Sequence, residues 1–594
     1  MKNRCCYLCL LLFCASSFCV AATKNTVLST FPINKAGRVN PAMTIGLRFR
    51  YPVSLPTNYT SSVIIQGSHS GVHAGHLSQS LDKQTLIFTP LKKFTAGELV
   101  TATFPSFDEA SAPTILSFTI SEPLTYSLDQ FHSSDPITEY SLHGKAISGK
   151  SAGIESFPVL SVVYNQDPAP GNLYLANFRF DPIQRNIYRM ILDHQGEVLS
   201  AEAAGPRYSL DFRPRDGGGY SYFDATTSKM YMLDSKFTKV DSLTAANGYE
   251  TDGHDLLYTN TGGYIILAIN PVTMDIRPYF EGGYPNASVF DMIIQEFDHN
   301  KNLIWEWRSL DHFKVSDCMG ISLADSIIDY CHANAIDTDA DGNLLLSSRH
   351  MDEITKIDRK TGDIHWRWGG INNQFTFIDD TIHFSYQHDI RRTPSGTFTL
   401  FDNGDYHLQG GIFSRGIEYR LNEESKTATK VWEYRHSPDV YGMALGSVQR
   451  LPNGNTLIGW GACDEVAITE VNPNGDRTFE LTMDNQNYSY RVYKYTPEEL
   501  GVSTGKPRAP STGIQCFPNP ASGQTTISFT APEASNYSIT MWDPLGRCIR
   551  TTTGVVQTGN NNLSVDLSGI ATGTYYLRTA LGSTLLPAEK IIIQ

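Results

Sequence analysis

The sequence predicts an all-β protein in which a six-bladed β-propeller lies between two smaller β-sandwich domains. A chain of 594 residues is too long for one hydrophobic core. Its 30 Tyr, 29 Phe and 47 Gly, with only 18% charged residues, favour strands and tight turns over long solvated helices. A hairpin unit also recurs about every 45 to 60 residues through the middle of the chain, which is the period of propeller blades.

Residues 1–22 have the pattern of a secretory signal peptide. Lys2 and Arg4 supply a basic start, the apolar run Cys6–Val20 follows, and Ala21-Ala22 offers small residues for cleavage. A retained membrane anchor is the alternative. The apolar run is shorter than the roughly 20 residues that a spanning helix needs. We therefore expect an exported mature chain without a membrane-spanning segment.

Export also affects the interpretation of the cysteines. Five of the ten cysteines lie in the signal segment and would leave with it. Two of those that remain, Cys318 and Cys331, would close a short loop that leads directly into His332. An oxidising compartment permits this disulfide but does not require it.

The charge of the chain excludes one class of partner. With 47 basic and 61 acidic side chains the formal net charge is −14. A chain of this charge has no dominant basic surface that could follow a phosphate backbone. We therefore expect no nucleic-acid partner.

Residues 23–121 are predicted to form the first β-sandwich. Short runs of alternating apolar and polar residues, such as Thr44–Phe49 and Thr85–Phe88, are separated by Pro and Gly turns. This arrangement resembles the bacterial immunoglobulin-like domains. The Ser- and Pro-rich stretch 122–157 that follows is predicted to be a linker.

Residues 158–497 contain the repeat that predicts the propeller. Four clear hairpins turn on glycine, at Asn260–Gly263, Asp341–Asn343, Pro394–Gly396 and Pro452–Asn455, and weaker copies turn near Gly171 and Gly219. Tryptophan-rich outer strands follow the hairpins at 303–307, 364–368 and 430–434. These aromatic residues could stack on a ligand. Alternating aromatics on strands are more typical of packing between blades, so we expect them in the core.

The last part of the chain is predicted to be a linker, 498–512, and a small β-sandwich, 513–594. Four segments mark this sandwich in order: Cys516–Pro520, Trp542–Arg547, Gly573–Leu577 and Glu589–Ile593. They resemble the C-terminal sorting domains of type IX secretion substrates in Bacteroidetes. The resemblance implies recognition by the type IX secretion machinery, removal of the tail, and a product at the cell surface or outside the cell.

The hairpins also predict a functional site. Aligned on their turns, they place His254, His332, His388 and Ser447 at equivalent positions, about eight to ten residues before the turn glycine. Equivalent positions on the innermost strands face the central channel, because side chains alternate along a strand. We therefore expect three histidines and one hydroxyl to surround a small volume.

Folding two hairpins about their turns adds a cation and an amide to this volume. Arg349 is expected beside His332, and Asn403 beside His388. A single histidine on an apolar strand is commonly a packed core residue, but three at one position with an arginine predict a site. Three imidazoles can also hold Zn²⁺ with one ligand position open. Arg349 argues against a metal, because a guanidinium suits a sulfuryl or phosphoryl group and not a dication. We expect no cofactor.

A second metal hypothesis concerns one of the turns. Asp337, Asp339 and Asp341, before Gly342, imitate the start of a calcium-binding loop. The twelfth position is Ser348 and not the bidentate glutamate that such a loop uses. A hairpin turn is the simpler interpretation, and calcium is the alternative.

The motifs around these residues resemble those of bacterial aryl-sulfate sulfotransferases. They are Gly253-His254-Asp255, then His332-Ala333-Asn334 followed by Ser347-Ser348-Arg349-His350, and Gln387-His388-Asp389 followed by Phe401-Asp402-Asn403-Gly404. The resemblance covers most of the propeller. It implies transfer of a sulfuryl group from a phenolic sulfate ester to a phenol, without a nucleotide sulfate donor.

The same resemblance implies a role for each residue. His388 matches the nucleophile of the family, and His254, His332 and Arg349 match its sulfuryl-binding residues. Further candidates for substrate binding are Asn334, Asn403 and Ser447, the last of which stands where some members of the family have threonine.

The chemistry of these residue types agrees with this activity. A neutral imidazole can attack sulfur, and an N-sulfated histidine divides one difficult exchange into two displacements. Arg349 and a second histidine can balance the charge of the sulfuryl oxygens, while another histidine moves a proton. The roles of His254 and His332 can be exchanged at this level. Tyr330 and Tyr386 could hold the aryl ring, although the blade core is the simpler place for either.

The leading hypothesis is an aryl-sulfate sulfotransferase that works by a ping-pong mechanism. A secreted β-propeller binding module or adhesin without catalysis is the alternative from another class. A hydrolase whose acceptor is water is a third possibility. Release of phenol from an aryl sulfate separates the enzymes from the binding module.

Overall fold

The computed structural model describes residues 25–56, 59–107, 112–122, 158–180, 187–204, 208–407, 409–484, 486–501, 515–531, 534–543, 547–582, 584–585 and 589–593. The predicted signal peptide and most of both predicted linkers lie outside these residues. The chain separates into two compact units, Met1–Thr496 and Pro497–Gln594. The regular structure is almost entirely β-strand, as predicted. Among the described residues, no helix has both the length and the apolar character needed to cross a membrane.

The first domain is built from two four-stranded sheets. Its elements are β1 (Val27–Phe31), β2 (Ile45–Phe49), the short helix α1 (Tyr59–Ser62), β3 (Ile64–Gly67), β4 (Gly71–Val72), β5 (Gly75–Gln79), β6 (Thr85–Pro90), β7 (Leu99–Phe104) and β8 (Thr114–Thr119). The sheet orders are β1-β2-β6-β5 and β4-β3-β7-β8. Alternation drives the packing: Val100, Ala102 and Phe104 of β7 are buried together with Leu47 and Leu86 of the other sheet.

The middle of the chain contains most of the strands. They are β9 (Leu160–Asn165), β10 (Asn172–Phe178), β11 (Tyr188–Leu192), β12 (Val198–Ala203), β13 (Ser209–Pro214), β14 (Tyr220–Asp224), β15 (Lys229–Leu233), β16 (Lys239–Leu243), β17 (Glu250–Tyr258), β18 (Tyr264–Met274), β19 (Ala287–Phe297), β20 (Leu303–Arg308), β21 (Ile327–Ile328), β22 (Ala333–Thr338), β23 (Leu344–Ser348), β24 (Glu353–Ile357), β25 (Ile364–Gly369), β26 (Thr376–Ile378), β27 (His388–Arg392), β28 (Phe398–Asp402), β29 (Arg415–Asn422), β30 (Thr427–Arg435), β31 (Ser447–Arg450), β32 (Thr456–Gly459), β33 (Ile468–Val471), β34 (Arg477–Met483) and β35 (Tyr488–Tyr495). In the described part of this region, three short 3-10 helices, Ser309–Asp311, Val315–Asp317 and Arg349–Met351, lie between strands.

These strands, within the described residues, form six sheets of four or five strands each. The innermost strands are β35, β13, β17, β22, β27 and β31, and each contacts the next in this order until β31 contacts β35 again. Strands from the two ends of this region close the ring. Strand β35, the last of the region, pairs with β10, and β9, the first, pairs with β34. A closed ring of sheets around a central axis is the arrangement of a β-propeller.

The predicted hairpins and outer strands are present. Gly262, Gly342, Gly396 and Gly454 lie in turns between paired strands, with φ between 79° and 92°, a region that favours glycine. Four of the five predicted outer tryptophans, Trp305, Trp307, Trp366 and Trp368, are buried in the core. Trp432 is only half-buried, with Arg450 over its ring. The turn predicted near Gly171 is not a hairpin, because β9 pairs with β34 and not with β10.

The first domain packs on the sheet that contains β17–β20. Arg308 Nη2 donates to the backbone carbonyls of Gly37 and Arg38, at 3.1 and 3.2 Å. The backbone N–H of Thr44 donates to Asn247 Oδ1 at 3.0 Å. Because these groups are buried or half-buried, the contacts satisfy polar atoms that packing removes from water.

In the described part of the second unit, the regular elements are all strands: β36 (Gln515–Ser522), β37 (Gln524–Ala531), β38 (Ser535–Trp542), β39 (Cys548–Val556), β40 (Gly559–Asp566), β41 (Gly573–Leu581), β42 (Thr584–Leu585) and β43 (Glu589–Ile593). Strand β36 joins β37 and β40 to β43, β41, β38 and β39. Ile527, Ile539, Leu577 and Ile591 lie in its core. Three of the four predicted segments lie in strands β36, β41 and β43, whereas the segment that begins at Trp542 starts at the end of β38 and continues outside the described residues.

Candidate active site

The four equivalent positions predicted from the hairpins lie on innermost strands of four consecutive sheets. His254 is within β17, His388 begins β27, Ser447 begins β31, and His332 directly precedes β22. In β17, β22 and β27 the pairing with the next strand is irregular at or beside the histidine. Such β-bulges re-aim side chains. His332 also has a φ of +46°, which is uncommon for a residue with a side chain and is found at functional sites.

His254 and His332 form one face of the site. Their ring centroids are 5.0 Å apart in an edge-to-face arrangement. Each ring has its Nδ1 against a carboxylate: His254 lies 2.7 Å from Asp252 Oδ1, and His332 lies 2.5 Å from Asp329 Oδ2. All four residues line the same cavity, together with apolar and aromatic side chains. The Nε2 atoms are therefore the ring nitrogens left for a ligand.

The cavity continues into an apolar, aromatic region. Phe178, Tyr208, Phe223, Phe290 and Met292 line it beside the two histidines. Apolar walls with a few polar groups at one end are typical of small-molecule sites. Tyr330, one of the two tyrosines suggested for aryl binding, is instead fully buried, with its hydroxyl 2.7 Å from Ser309 Oγ.

His388 is buried, and both of its ring nitrogens are in hydrogen bonds. Its Nδ1–H donates to Asn403 Oδ1 at 2.7 Å, and the backbone N–H of Leu445 donates to Nε2 at 3.2 Å. Asn403 is held in turn, because its Nδ2 donates to the carbonyls of Gly442 and Leu445 at 2.6 and 3.1 Å. The predicted contact of His388 with Asn403 is thus present. Leu445 lines the cavity, whereas His388 is not among the residues that line it.

The environment keeps His388 neutral. Burial lowers its pKa well below 6.5, and the positive charge of Arg349 acts in the same direction. The hydrogen bond to Asn403 opposes this shift but does not reverse it. A neutral imidazole with a neutral amide on Nδ1 has its lone pair on Nε2, which is the atom that can act as a nucleophile.

Arg349 lies beside His332, as the folded hairpin predicts. Its backbone N–H donates to the carbonyl of His332 at 3.0 Å. The guanidinium donates from Nη1 to His350 Nε2 at 2.7 Å and from Nη2 to the carbonyl of Met443 at 3.1 Å, and it lies 4.3 Å above the ring of Tyr386. Nη2 is also 3.4 Å from Asp405 Oδ2. The planar cation is thus fixed in orientation.

Asn334 and Ser447 lie near the site but use their side chains on the protein. Asn334 Nδ2 donates to the carbonyl of Gln387, the residue before His388, at 2.7 Å. Ser447 Oγ accepts from the backbone N–H of Val492 at 3.0 Å. The Ser447 hydroxyl therefore joins two innermost strands, and it is not among the groups that line the cavity.

Several residues of the site were missed by sequence reasoning. Asp252 and Asp329 stand two and three residues before their histidines, a spacing that could have suggested them. His350 follows Arg349 within the motif. Tyr490 gives no such signal: it comes from the ring-closing strand β35, and its hydroxyl donates to the carbonyls of His254 and Asn334 at 2.9 and 3.1 Å.

A buried ionic network lies behind the histidines. Arg391 Nη2 is 2.8 Å from Asp255 and 2.9 Å from Asp389, the residues that follow His254 and His388. Arg491 of β35 is 3.4 Å from Asp255 and 3.2 Å from Asp389. The aspartates of the two His-Asp motifs thus connect three innermost strands. Removing one partner from such a network is strongly destabilising, because it leaves a charge buried alone.

The contacts of the structure argue against both metal hypotheses. Ligand atoms of Asp329, His332 and His350 lie within 4.8 Å of one another. The guanidinium of Arg349 already donates to the third of these residues, which makes the place unfavourable for a cation. At the turn that imitates a calcium loop, the ammonium of Lys356 lies 2.7 Å from Asp339, 2.8 Å from Asp341 and 2.7 Å from Glu423. That ammonium accounts for the cluster of carboxylates.

The disulfide that the sequence permits between Cys318 and Cys331 is not formed. Cys318 and Cys331 are both free thiols. Cys331 is buried, with its sulfur 3.3 Å from Ser348 Oγ, and burial raises the pKa of its thiol. Its thiol therefore packs in the core beside Ser348.

Comparison with known proteins places the chain in a family. The arylsulfotransferase family model matches residues 161–494, the bacterial immunoglobulin-like domain matches 21–121, and the secretion system C-terminal sorting domain matches 515–594. The arylsulfate sulfotransferase AssT of Escherichia coli O6:H1 is 28% identical over 165 residues, and that of Lelliottia amnigena is 29% identical over 164 residues. Each alignment covers 22% of this chain and 27% of the relative.

Solved structures provide only distant likenesses. A protein of unknown function from Bacteroides caccae is 12% identical, with a TM-score of 0.36 over 55% of this chain and 99% of that one. The family assignment therefore rests on the match to residues 161–494, more than half of the sequence, which includes every candidate site residue. This chain belongs to the arylsulfotransferase family.

Proposed function

We propose that the protein transfers a sulfuryl group from a phenolic sulfate ester to a phenol through a sulfo-histidine on His388, with no nucleotide sulfate donor. The observation that carries this proposal is the state of His388. It is buried, neutral and oriented by Asn403, with the lone pair of Nε2 directed to the backbone N–H of Leu445 at the edge of the cavity. Membership of the arylsulfotransferase family supports the same chemistry.

In the first half-reaction, Nε2 of His388 gives up the hydrogen bond from the Leu445 N–H and attacks sulfur, so that the S–N bond forms and the ester S–O bond breaks. The departing phenolate takes a proton, and the imidazole carries the sulfuryl group. Asn403 Oδ1 supports the positive charge that develops on the ring, because it accepts Nδ1–H. In the second half-reaction the oxygen of the acceptor phenol attacks sulfur, the S–N bond breaks and neutral His388 is restored.

The surrounding groups supply orientation and charge. Arg349 balances the sulfuryl oxygens, since its guanidinium is fixed by His350 and Tyr386. His254 and His332 line the cavity in which we place the aryl sulfate. Asn334 acts through the backbone of Gln387, so we propose it as a positioning residue. Ser447 uses its hydroxyl on Val492, and we assign it no contact with substrate.

The location of the reaction follows from the rest of the chain. The C-terminal sorting domain indicates export through type IX secretion. We propose that the signal peptide 1–22 and the tail after about residue 513 are removed, and that the product stays on the cell surface or is released. We also propose that the six sheets are the six blades of one propeller within 158–497.

The activity is tested with purified protein, 4-nitrophenyl sulfate as donor and phenol as acceptor. We expect release of nitrophenol together with formation of phenyl sulfate, and parallel lines when initial rates are plotted at several acceptor concentrations. His388→Asn should lose both. Release of nitrophenol with inorganic sulfate as the main product, even with excess phenol, would identify a hydrolase. No release by folded protein would leave a binding module.

A further inference from the structure

The three histidines of the site differ in the group that holds Nδ1. In His388 this group is the neutral amide of Asn403, at 2.7 Å. In His254 and His332 it is a carboxylate, at 2.7 and 2.5 Å. An amide on Nδ1 adds no negative charge, so burial and Arg349 leave the His388 ring neutral, as a nucleophile needs. A carboxylate on Nδ1 favours the imidazolium, which a proton donor needs.

The two carboxylate pairs are not equivalent, because their neighbours differ. The ring of His332 is 4.5 Å from the ring of His350, which receives a hydrogen bond from Arg349. Burial and these neighbours oppose a positive charge on His332, and its pKa is lowered to about 4 in spite of Asp329.

His254 has the opposite balance. The groups that face it are Asp252 on its own strand, His332 and Asp329 from the segment before β22, and Tyr490 with Arg491 from β35. Burial and Arg491 lower the pKa of His254, but the carboxylates raise it, and the net shift is upward.

We propose that Asp252 is a positioning residue that makes His254 the proton-transfer group of the reaction. It accepts from both the backbone N–H and the Nδ1–H of His254, at 2.8 and 2.7 Å, and so fixes the ring with Nε2–H toward the cavity. This inference rests on the proposed function, and it removes the exchange of roles between His254 and His332 that the sequence leaves open.

The protons balance over the two half-reactions. When His388 Nε2 takes the sulfuryl group, His254 Nε2–H gives its proton to the departing phenolate, and His254 becomes neutral. The incoming phenol then returns a proton to His254 Nε2 as its oxygen attacks sulfur. Throughout, Nδ1–H stays on the side of Asp252. No other proton donor or acceptor is needed.

Donors with different leaving groups test the role of Asp252. A phenolate from phenyl sulfate is basic and needs a proton as it leaves, whereas 4-nitrophenolate leaves without one. We expect Asp252→Asn to lower kcat/KM for phenyl sulfate by about 10- to 100-fold, the size of a general-acid contribution. With 4-nitrophenyl sulfate the expected loss is below about threefold on the same basis.

Asp329→Asn is the matched control, because it makes the same change in the other carboxylate–histidine pair. It should lower kcat/KM for the two donors by equal factors. The inference is overturned if Asp252→Asn lowers kcat/KM for both donors by equal factors. It is also overturned if Asp329→Asn, and not Asp252→Asn, lowers kcat/KM more for phenyl sulfate than for 4-nitrophenyl sulfate.

The pH profile of the unaltered protein gives a test that does not depend on folding of a variant. With phenyl sulfate, kcat/KM should fall as the pH rises through the pKa of His254, and with 4-nitrophenyl sulfate this limb should be absent. Identical profiles for both donors would overturn the inference. If no sulfuryl group moves between phenols, the proposed function itself fails. If the sulfuryl group moves between phenols and modifies His388, but the effect of Asp252→Asn is the same for both donors, only the role of Asp252 fails.

Discussion

Replacing Arg349 by lysine keeps a positive charge but removes the shape of the group. In the structure the guanidinium donates from Nη1 to His350 and from Nη2 to the carbonyl of Met443, and it stacks on Tyr386 at 4.3 Å. Lysine has one ammonium, so it can neither stack as a plane nor hold these partners while presenting two donors to sulfuryl oxygens. The variant Arg349→Lys should therefore lose the part of the transition-state stabilisation that depends on a paired, oriented donor.

The expected size follows from the loss of one such donor. Removing an oriented donor to a developing oxyanion costs about 100- to 1000-fold in kcat. The lower end, about 100-fold, corresponds to about 2.7 kcal/mol in the activation free energy. The assay is steady-state transfer from 4-nitrophenyl sulfate to phenol, with thermal unfolding measured in parallel.

Arg435→Lys provides a matched control for this prediction. Arg435 also stacks on an aromatic ring, Phe413 at 3.6 Å, and pairs with a carboxylate, Asp439, but it lies outside the site. Its replacement should leave turnover within about twofold, as is usual for changes at exposed ion pairs. If folded Arg349→Lys also stays within about twofold of the turnover of the unaltered protein, Arg349 does not balance charge in the transition state.

Three further changes test the surroundings of the site. Asn403→Leu removes the acceptor for His388 Nδ1–H, so turnover should fall by roughly 100-fold, and the free energy of unfolding by about 1 to 3 kcal/mol, because buried donors and acceptors lose partners. Ser447→Ala leaves the N–H of Val492 without its acceptor, so stability should fall by about 1 to 3 kcal/mol while turnover changes less than about threefold. Finally, His332 is neutral when folded down to a pH of about 4, whereas in the unfolded chain it takes a proton below 6.5. As the pH is lowered from 6.5 to about 4, the free energy of unfolding should therefore fall by about 1.4 kcal/mol per pH unit. The variant His332→Gln should lack this part of the pH dependence.

Each of these results has a clear opposite. Normal turnover in Asn403→Leu would mean that the orientation of His388 is unimportant. A large loss of turnover in stable Ser447→Ala would restore the hydroxyl to the substrate site. Equal slopes of unfolding free energy against pH in the unaltered protein and His332→Gln would mean that His332 is protonated when folded.

Much of the site could be predicted because hairpins relate residues that are close in sequence. The turn at Gly342 determines which residues face each other across β22 and β23, and so places Arg349 beside His332. The turn at Gly396 does the same for His388 and its amide partner. Side-chain alternation likewise predicted that four of the five outer tryptophans lie in the core.

What could not be predicted comes from contacts between distant segments. Tyr490 and Arg491 reach the site only because the last propeller strand joins the first sheet, and nothing local in the sequence announces that pairing. The same strand also engages the Ser447 hydroxyl, because the backbone N–H of Val492 donates a hydrogen bond to it. Register alone gives the position of a residue, but the neighbouring strand decides what its side chain contacts.

The covalent intermediate on His388 tests the central claim most directly. Protein mixed with 4-nitrophenyl sulfate in the absence of acceptor, stopped rapidly and digested, should contain one peptide that carries a sulfuryl group on His388. Addition of phenol before the reaction is stopped should remove the group and give phenyl sulfate. A label that maps to His254 or His332, or transfer between phenols with no labelled intermediate at any time, would contradict the account.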